Sequence, residues 1–135
     1  PPPAEGPRLL ALFDMRPDVA ARLADRLAKH YPRLRVELRG NDPAGYGLVV
    51  NATPLGMAAG DPLPFDPARL ARETFVGEVV LKAEMTPLLE AAASRGCRYL
   101  VGTDMLFEQI PAYLEFFGYG TTTPEELRKL ARISY

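Results

Sequence analysis

Short apolar runs alternate along this chain with helix-length amphipathic segments, and that alternation leaves few folds open. Arg8-Leu9-Leu10-Ala11-Leu12-Phe13 ends at Asp14 and is followed by a break at Pro17; it is too short for a helix and apolar enough for a buried strand. From Pro17 to about His30, Val19, Leu23, Leu27 and the alanines share one face, while Arg22, Asp25, Arg26 and Lys29 lie elsewhere. Pro17 suits the first turn of this helix and Tyr31-Pro32 ends it. Leu34, Val36 and Leu38 then alternate with Arg33, Arg35, Glu37 and Arg39, as in an edge strand with one wet face. A turn over Gly40 to Gly45 leads to another buried strand, Tyr46-Gly47-Leu48-Val49-Val50, which runs into the loop Asn51 to Met57.

The proline-rich stretch 58–72 reads as a long connection with a short helical turn near Ala68-Arg69-Leu70. Phe75 to Leu81 reads as a strand, and Glu84 to Arg95 as a helix with Met85, Leu88 and Leu89 inward. Tyr99-Leu100-Val101 is a last short strand, followed by a helix from Asp104 to Phe117 with a kink expected at Pro111. Thr123-Pro124-Glu125-Glu126 is a capping box with proline at the first helical position, so a final helix begins there. Strands alternating with helices predict the α/β class, with a mainly parallel sheet and right-handed crossovers. Ligands bind such sheets beyond the carboxyl ends of the strands. That singles out Asp14 to Arg16, Asn51 to Met57, Leu81 to Glu84 and Gly102 to Gln109.

Composition narrows the partners. At 135 residues the chain has the length of one ordinary domain, and its 16 basic and 17 acidic residues are interspersed, giving a net charge of -1. No polyanion-binding surface is expected, and so no nucleic acid partner. Cys97 is the lone cysteine, which rules out an intramolecular disulfide and a cysteine-clustered metal site and points to a reducing, cytoplasmic home. No apolar stretch approaches the about eighteen residues that a membrane span requires, and the N-terminus has no basic region followed by an apolar segment. The chain opens on Pro1-Pro2-Pro3 without an initiator methionine, as a processed chain, a chosen boundary or a piece of a longer protein would.

The individual chemistry-bearing residues divide sharply. Asp14, at the end of the first strand, stands where a dinucleotide-binding fold places an acid to accept hydrogen bonds from the adenosine ribose diol, and equally where a turn former would precede a helix. The acid favours NAD; Arg16, two residues on, could pair instead with the 2′-phosphate of NADP. A phosphate-cradling G-x-G-x-x-G is absent, since Gly45-Tyr46-Gly47 and Gly118-Tyr119-Gly120 have the wrong continuation. The sole histidine, His30, closes an amphipathic helix, where its charge suits the carbonyl end better than catalysis. Ser94 and Ser134 lack a nucleophile-elbow context, and Cys97 reads as packing near a strand start. Asn51-Ala52-Thr53 matches a glycosylation sequon incidentally, and Lys82 with Glu84 reads as a solvated ion pair.

Three ordered motifs carry more than this. They are Val49-Val50-Asn51-Ala52-Thr53-Pro54-Leu55-Gly56-Met57, Lys82-Ala83-Glu84-Met85-Thr86-Pro87-Leu88-Leu89, and Gly102-Thr103-Asp104-Met105-Leu106-Phe107-Glu108-Gln109. Together they resemble the shikimate dehydrogenase family, and the likeness runs from Leu9 to about Gly118. It implies a Rossmann-like NAD(P)-binding domain that begins at that domain's second strand and lacks the first βα unit with its glycine-rich loop. It also implies an oxidoreductase that reversibly reduces 3-dehydroshikimate, or a related quinate-type polyol, with NADP or NAD. Carried over by position, Ala52 and Thr53 contact the cofactor near its nicotinamide-side ribose, Val79 and Gly102 border the nicotinamide by backbone, and Met105 packs on the ring. Gln109, one helical turn beyond Met105, reaches the substrate hydroxyls, and Asp14 and Arg16 fall where the family selects between NAD and NADP.

The chain departs from the family pattern at two points. Glu78-Val79-Val80-Leu81-Lys82 stands where the family commonly has Asp-Val-Val-Tyr-Lys, and Asp104 takes the place of the second glycine of Gly-Leu-Gly-Met-Leu. Both suggest a divergent branch. The family's catalytic lysine and aspartate belong to an N-terminal substrate domain that has no counterpart in this sequence, so no catalytic residue is expected here and the portion is expected to be inactive alone. Without the normally central first strand, two strands carry unpaired backbone groups. The expectation is a fragment of a longer enzyme, a rearranged sheet, or a domain that self-associates through an open edge; a non-catalytic remnant serving as a binding or assembly module is the alternative.

Overall fold

Parallel pairing accounts for every strand in the computed structural model, which describes residues 6–131 and 133. Pro1, Pro2, Pro3 and Ser134 lie outside the described residues. The order is β1 (Leu9–Leu12), α1 (Pro17–His30), β2 (Arg35–Leu38), β3 (Leu48–Asn51), a 3-10 turn (Pro67–Arg69), β4 (Phe75–Glu78), α2 (Pro87–Ser94), β5 (Arg98–Leu100), α3 (Gly102–Phe116) and α4 (Pro124–Leu130). This is the expected α/β alternation with helices between parallel strands. The chain divides into two compact units, one ending at Asp42 and one beginning at Pro43.

The first unit is a β-α-β piece in which β1 and β2 pair in parallel, Leu9 opposite Arg35 and Leu12 opposite Leu38. Pro17 opens α1 as expected, Asp18 lies in the first turn and Lys29 and His30 in the last, so both ends complement the helix dipole. The face expected inward is only partly covered: Ala20 is buried and Val19 and Leu27 are half-buried, but Leu23 is 42% exposed. Two short strands offer too little surface to cover a helix of four turns. On β2 the alternation holds through Val36 and fails at Leu38, which is exposed, while Glu37 is held between Arg35 and Arg39. The Arg39 hydrogen bond, aided by the Arg35 and Arg39 charges, outweighs the opposing effect of burial and keeps the Glu37 carboxyl below the usual range.

The second unit holds a three-stranded sheet in the order β3-β4-β5. Val76 of the middle strand lies between Val49 of β3 and Tyr99 of β5, and Asn51 lies opposite Glu78. Val76 of the middle strand, Leu88, Leu89 and Ala92 of α2, and Phe65, Leu70 and Cys97 from the connections form the buried cluster, with Val49, Met85 and Val101 against it. Cys97 is packed as expected, its thiol donating to the Ala71 carbonyl at 3.2 Å.

Several boundaries differ from the sequence expectation by a residue or more, β3 among them, which starts at Leu48 rather than Tyr46. β4 stops at Glu78 rather than Leu81, and α2 starts at Pro87 rather than Glu84 because the Thr86 hydroxyl accepts from Leu89 N–H and proline opens the first turn. α3 starts at Gly102, two residues early, and continues through Pro111 to Phe116. It ends, like α2, on a left-handed glycine: Gly118 N–H reaches Glu115 and Tyr119 N–H reaches Leu114, as Gly96 and Cys97 reach Ala93 and Ala92. α4 begins at Thr123 as expected, the hydroxyl accepting from Glu126 N–H at 3.2 Å.

Candidate functional site

The loop after β3 is organised by two side chains. Asn51, 2% exposed, donates through Nδ2 to the Leu55 carbonyl at 3.0 Å, and its Oδ1 accepts from the Thr53 N–H at 3.1 Å and the Thr53 hydroxyl at 2.7 Å. Thr53 in turn accepts from Leu55 N–H at 3.1 Å. An amide engaged at both ends belongs to the loop's framework, in keeping with an incidental sequon. Asp61 closes the far end, one carboxylate oxygen accepting from Gly56 and Ala58 N–H at 2.9 Å each. Those backbone donors, Ala58 first, lower the Asp61 carboxyl from its ordinary value. Gly56 sits at φ 101°, with the site of a Cβ 3.7 Å from Thr86, so loop and α2 cap touch there.

The carboxyl ends of β3, β4 and β5 form one edge of the sheet. Val79 N–H donates to the Asn51 carbonyl at 3.2 Å, which brings Ala52 and Thr53 beside Val79. Gly102, opening α3, lies against the backbone of Val80: a Cβ at Gly102 would stand 1.9 Å from the Val80 carbonyl oxygen. Met105 and Gln109 follow on α3, both half-buried, with the Tyr113 hydroxyl donating to Gln109 Oε1 at 3.1 Å. Ala52, Thr53, Val79, Gly102, Met105 and Gln109 thus share one unit. Asp14 and Arg16 belong to the other, where Asp14 accepts from the Arg16 N–H at 2.8 Å and shapes the turn into α1.

Two sequence features acquire a local explanation. Asp104 pairs with Arg128 of α4 at 3.2 Å, Glu108 pairs with the same guanidinium at 2.9 Å, and Arg128 lies over the Phe107 ring. The acid at the family's glycine position therefore fastens α4 to α3. Lys82 and Glu84, expected as an ion pair, are both exposed and form none with each other, which corrects that expectation. An exposed Lys-Glu contact gains too little in water to hold two flexible side chains together. His30 lines a surface groove with Leu23, Arg26, Leu27 and Tyr31. A second cavity, between Gly56–Asp61 and Lys82, Ala83 and Pro87, opens at the carboxyl end of β3 and β4. No cluster of metal-ligating side chains and no helix long and apolar enough to cross a membrane occurs among the described residues.

Sequence reasoning assigned no structural role to Glu78, Asp61 or Thr86. Thr86-Pro87 carried the same threonine-proline start signal that marks Thr123-Pro124. Glu78 gave no such signal: an acid in an apolar run reads as solvent-facing, yet it is 2% exposed and neither oxygen finds a hydrogen-bond partner among the described residues.

A parallel sheet with crossover helices and a polar, glycine-containing carboxyl edge defines a Rossmann-like α/β domain. No family model matches the chain. The shikimate dehydrogenase (NADP(+)) of Sinorhizobium medicae is 33% identical over 127 residues, covering 93% of this chain and 44% of the relative. That of Jannaschia sp. is 41% identical over 83 residues, 61% of this chain and 30% of the relative. Among solved structures, quinate dehydrogenase from Corynebacterium glutamicum in complex with NAD superposes with a TM-score of 0.78 at 32% identity, covering 90% of this chain and 45% of that one. The chain belongs to the shikimate dehydrogenase family, and it spans less than half the length of these relatives.

Proposed function

We propose that this chain is the NAD(P)-binding portion of a shikimate dehydrogenase-like oxidoreductase acting on 3-dehydroshikimate or a related quinate-type polyol, and that it is inactive without a substrate domain. The observation that carries the reading is the shared edge of Ala52, Thr53, Val79 and Gly102, where a glycine with no room for a side chain lets α3 meet the Val80 backbone just beyond β4. Such an edge fits a nicotinamide dinucleotide: backbone groups at Val79 and Gly102 border the ring, Ala52 and Thr53 meet the adjoining ribose, and Met105 supplies an apolar cover. When bound, the nicotinamide supplies hydride transfer. Gln109, a neutral donor and acceptor, orients substrate hydroxyls. Asp14 and Arg16 select between NAD and NADP, the acid favouring a free ribose diol and the guanidinium a 2′-phosphate. Proton transfer needs a positioned acid or base from outside this chain. The cytoplasm remains the proposed location.

A second reading has its own support. β3 is hydrogen-bonded within its sheet on one side only, and Leu48 and Val50 are 60% and 52% exposed. An apolar strand at an edge invites pairing, so the chain could instead serve as an assembly module through self-association. Amide NMR titration with NAD and then NADP separates the two. Shifts at Thr53, Val79 and Gly102 support the cofactor role; a dispersed spectrum indifferent to both, with concentration-dependent broadening at β3, supports the module.

A further inference from the structure

Met105, Gln109 and Tyr113 recur at every fourth residue of α3 and so form one row on its surface, beginning within a turn of Gly102, where the helix meets the Val80 backbone. The Tyr113 hydroxyl donates to Gln109 Oε1 at 3.1 Å. The phenol therefore leans back over the preceding turn, as long helical side chains do, toward the end of α3 that meets the sheet. Tyr113 is 52% exposed and Gln109 half-buried. A hydrogen bond so open to water adds little to stability, because water offers both partners a substitute. Its effect falls instead on which end of the glutamine amide is left for a ligand.

An amide oxygen only accepts and an amide nitrogen only donates, and the terminal torsion that exchanges them is soft, so a glutamine by itself can offer either end. A phenol is a better donor than acceptor, and its bond to Gln109 occupies the oxygen end. No other hydrogen bond engages Gln109 among the described residues, which leaves the two Nε2 protons. We propose that Tyr113 is a positioning residue that holds the Gln109 amide with its nitrogen free, so that Gln109 meets the substrate as a donor to oxygen. The inference rests on the reading of Gln109 as a contact to substrate hydroxyls and adds the direction of that contact. A donor suits a reversible reduction: it serves a keto oxygen and a hydroxyl oxygen alike, whereas an acceptor loses its partner whenever the hydroxyl becomes a ketone.

The test is NMR on the 135-residue chain, with shikimate as the probe and cyclohexene-1-carboxylate, the same ring and carboxylate without the hydroxyls, as its comparison. Tyr113→Phe removes the hydroxyl and keeps the ring; with Gln109→Ala and the double variant it closes a cycle. Before any ligand is added, the Gln109 side-chain carbonyl carbon is expected to move upfield in Tyr113→Phe, because its oxygen has lost a donor. Tyr113→Phe is expected to weaken shikimate about fivefold while Gln109 is present, to leave cyclohexene-1-carboxylate unchanged, and to add nothing in the Gln109→Ala background. A merely structural role would weaken both probes and persist without Gln109. An unmoved carbonyl resonance, or an equal loss in both backgrounds, overturns the inference alone. A Gln109→Ala chain that binds shikimate as the parent does, or an unaltered chain whose Gln109 amide ignores shikimate, overturns the reading of Gln109 beneath it and the inference with it.

Discussion

Gly102 has no room for a side chain. A Cβ there meets the Val80 carbonyl oxygen at 1.9 Å and its carbon at 2.7 Å, both of them backbone atoms that cannot swing aside. Gly102→Ala is therefore expected to lower stability by about 3 kcal/mol, the upper end of overpacking, read as a fall in the urea midpoint. A midpoint equal to the parent's would mean that α3 and the Val80 backbone beyond β4 do not meet there. Asp61 makes a second prediction at this scale. Its folded carboxyl is held below the unfolded value, chiefly by the Ala58 and Gly56 N–H groups, so its contribution is present above the unfolded value and lost as pH falls through the folded one. The loop from Gly56 to Asp61 should loosen only below the ordinary aspartate range, and Asp61→Asn should abolish that acid step. A carbon-13 titration of the Asp61 carboxyl checks it; a midpoint at or above the ordinary value is the contrary result.

Elements were legible where a signal is local. Pro17 and the spacing through Leu27 marked α1, and Thr123-Pro124 marked α4, because caps and periodicity are written within a few residues. The early start of α3 was hidden, since what allows a helix to begin at Gly102 is the approach of Val80, twenty-two residues away in sequence and adjacent in space. The coverage of α1 was hidden for the same reason: periodicity names the apolar face and says nothing of how much surface opposes it. Caps also yield a test. Thr86→Ala removes the acceptor for Leu89 N–H in the buried unit and should cost about 1 kcal/mol in global stability. Thr123→Ala, at the end of an exposed short helix, should raise amide exchange within α4 and leave the global midpoint unmoved. Arg128→Ala should free α4 more completely, because the guanidinium joins Asp104, Glu108 and the Phe107 ring at once. Loss of through-space NMR contacts between Phe107 and α4 would record it, and contacts that persist would mean other packing holds the helix.

At the scale of the whole chain, the pairing of strands is non-local, so alternation predicted parallel strands but not their division into β1-β2 and β3-β4-β5. The consequence for stability follows from where the interior lies. All members of the buried cluster fall between Phe65 and Cys97, while in the unit ending at Asp42 Ala20 is the one buried apolar residue among those described, and Leu9, Phe13, Met15, Leu23, Tyr31 and Leu38 are exposed. A piece of this size with so little interior holds its hydrogen bonds weakly. Amides of β1, α1 and β2 should therefore exchange well before those of β4 and α2, and equal protection would show the two units to be one cooperative block. Ligand makes the same measurement diagnostic for the site. A ligand at one hundred times its dissociation constant stabilises whatever binds it by about 2.7 kcal/mol. With NAD present, protection should rise at β4 and the start of α3 through Val79 and Gly102, and at β1 and α1 as well if Asp14 holds the ribose. A rise confined to the second unit would remove Asp14 and Arg16 from the cofactor site and leave them as formers of the turn that opens α1.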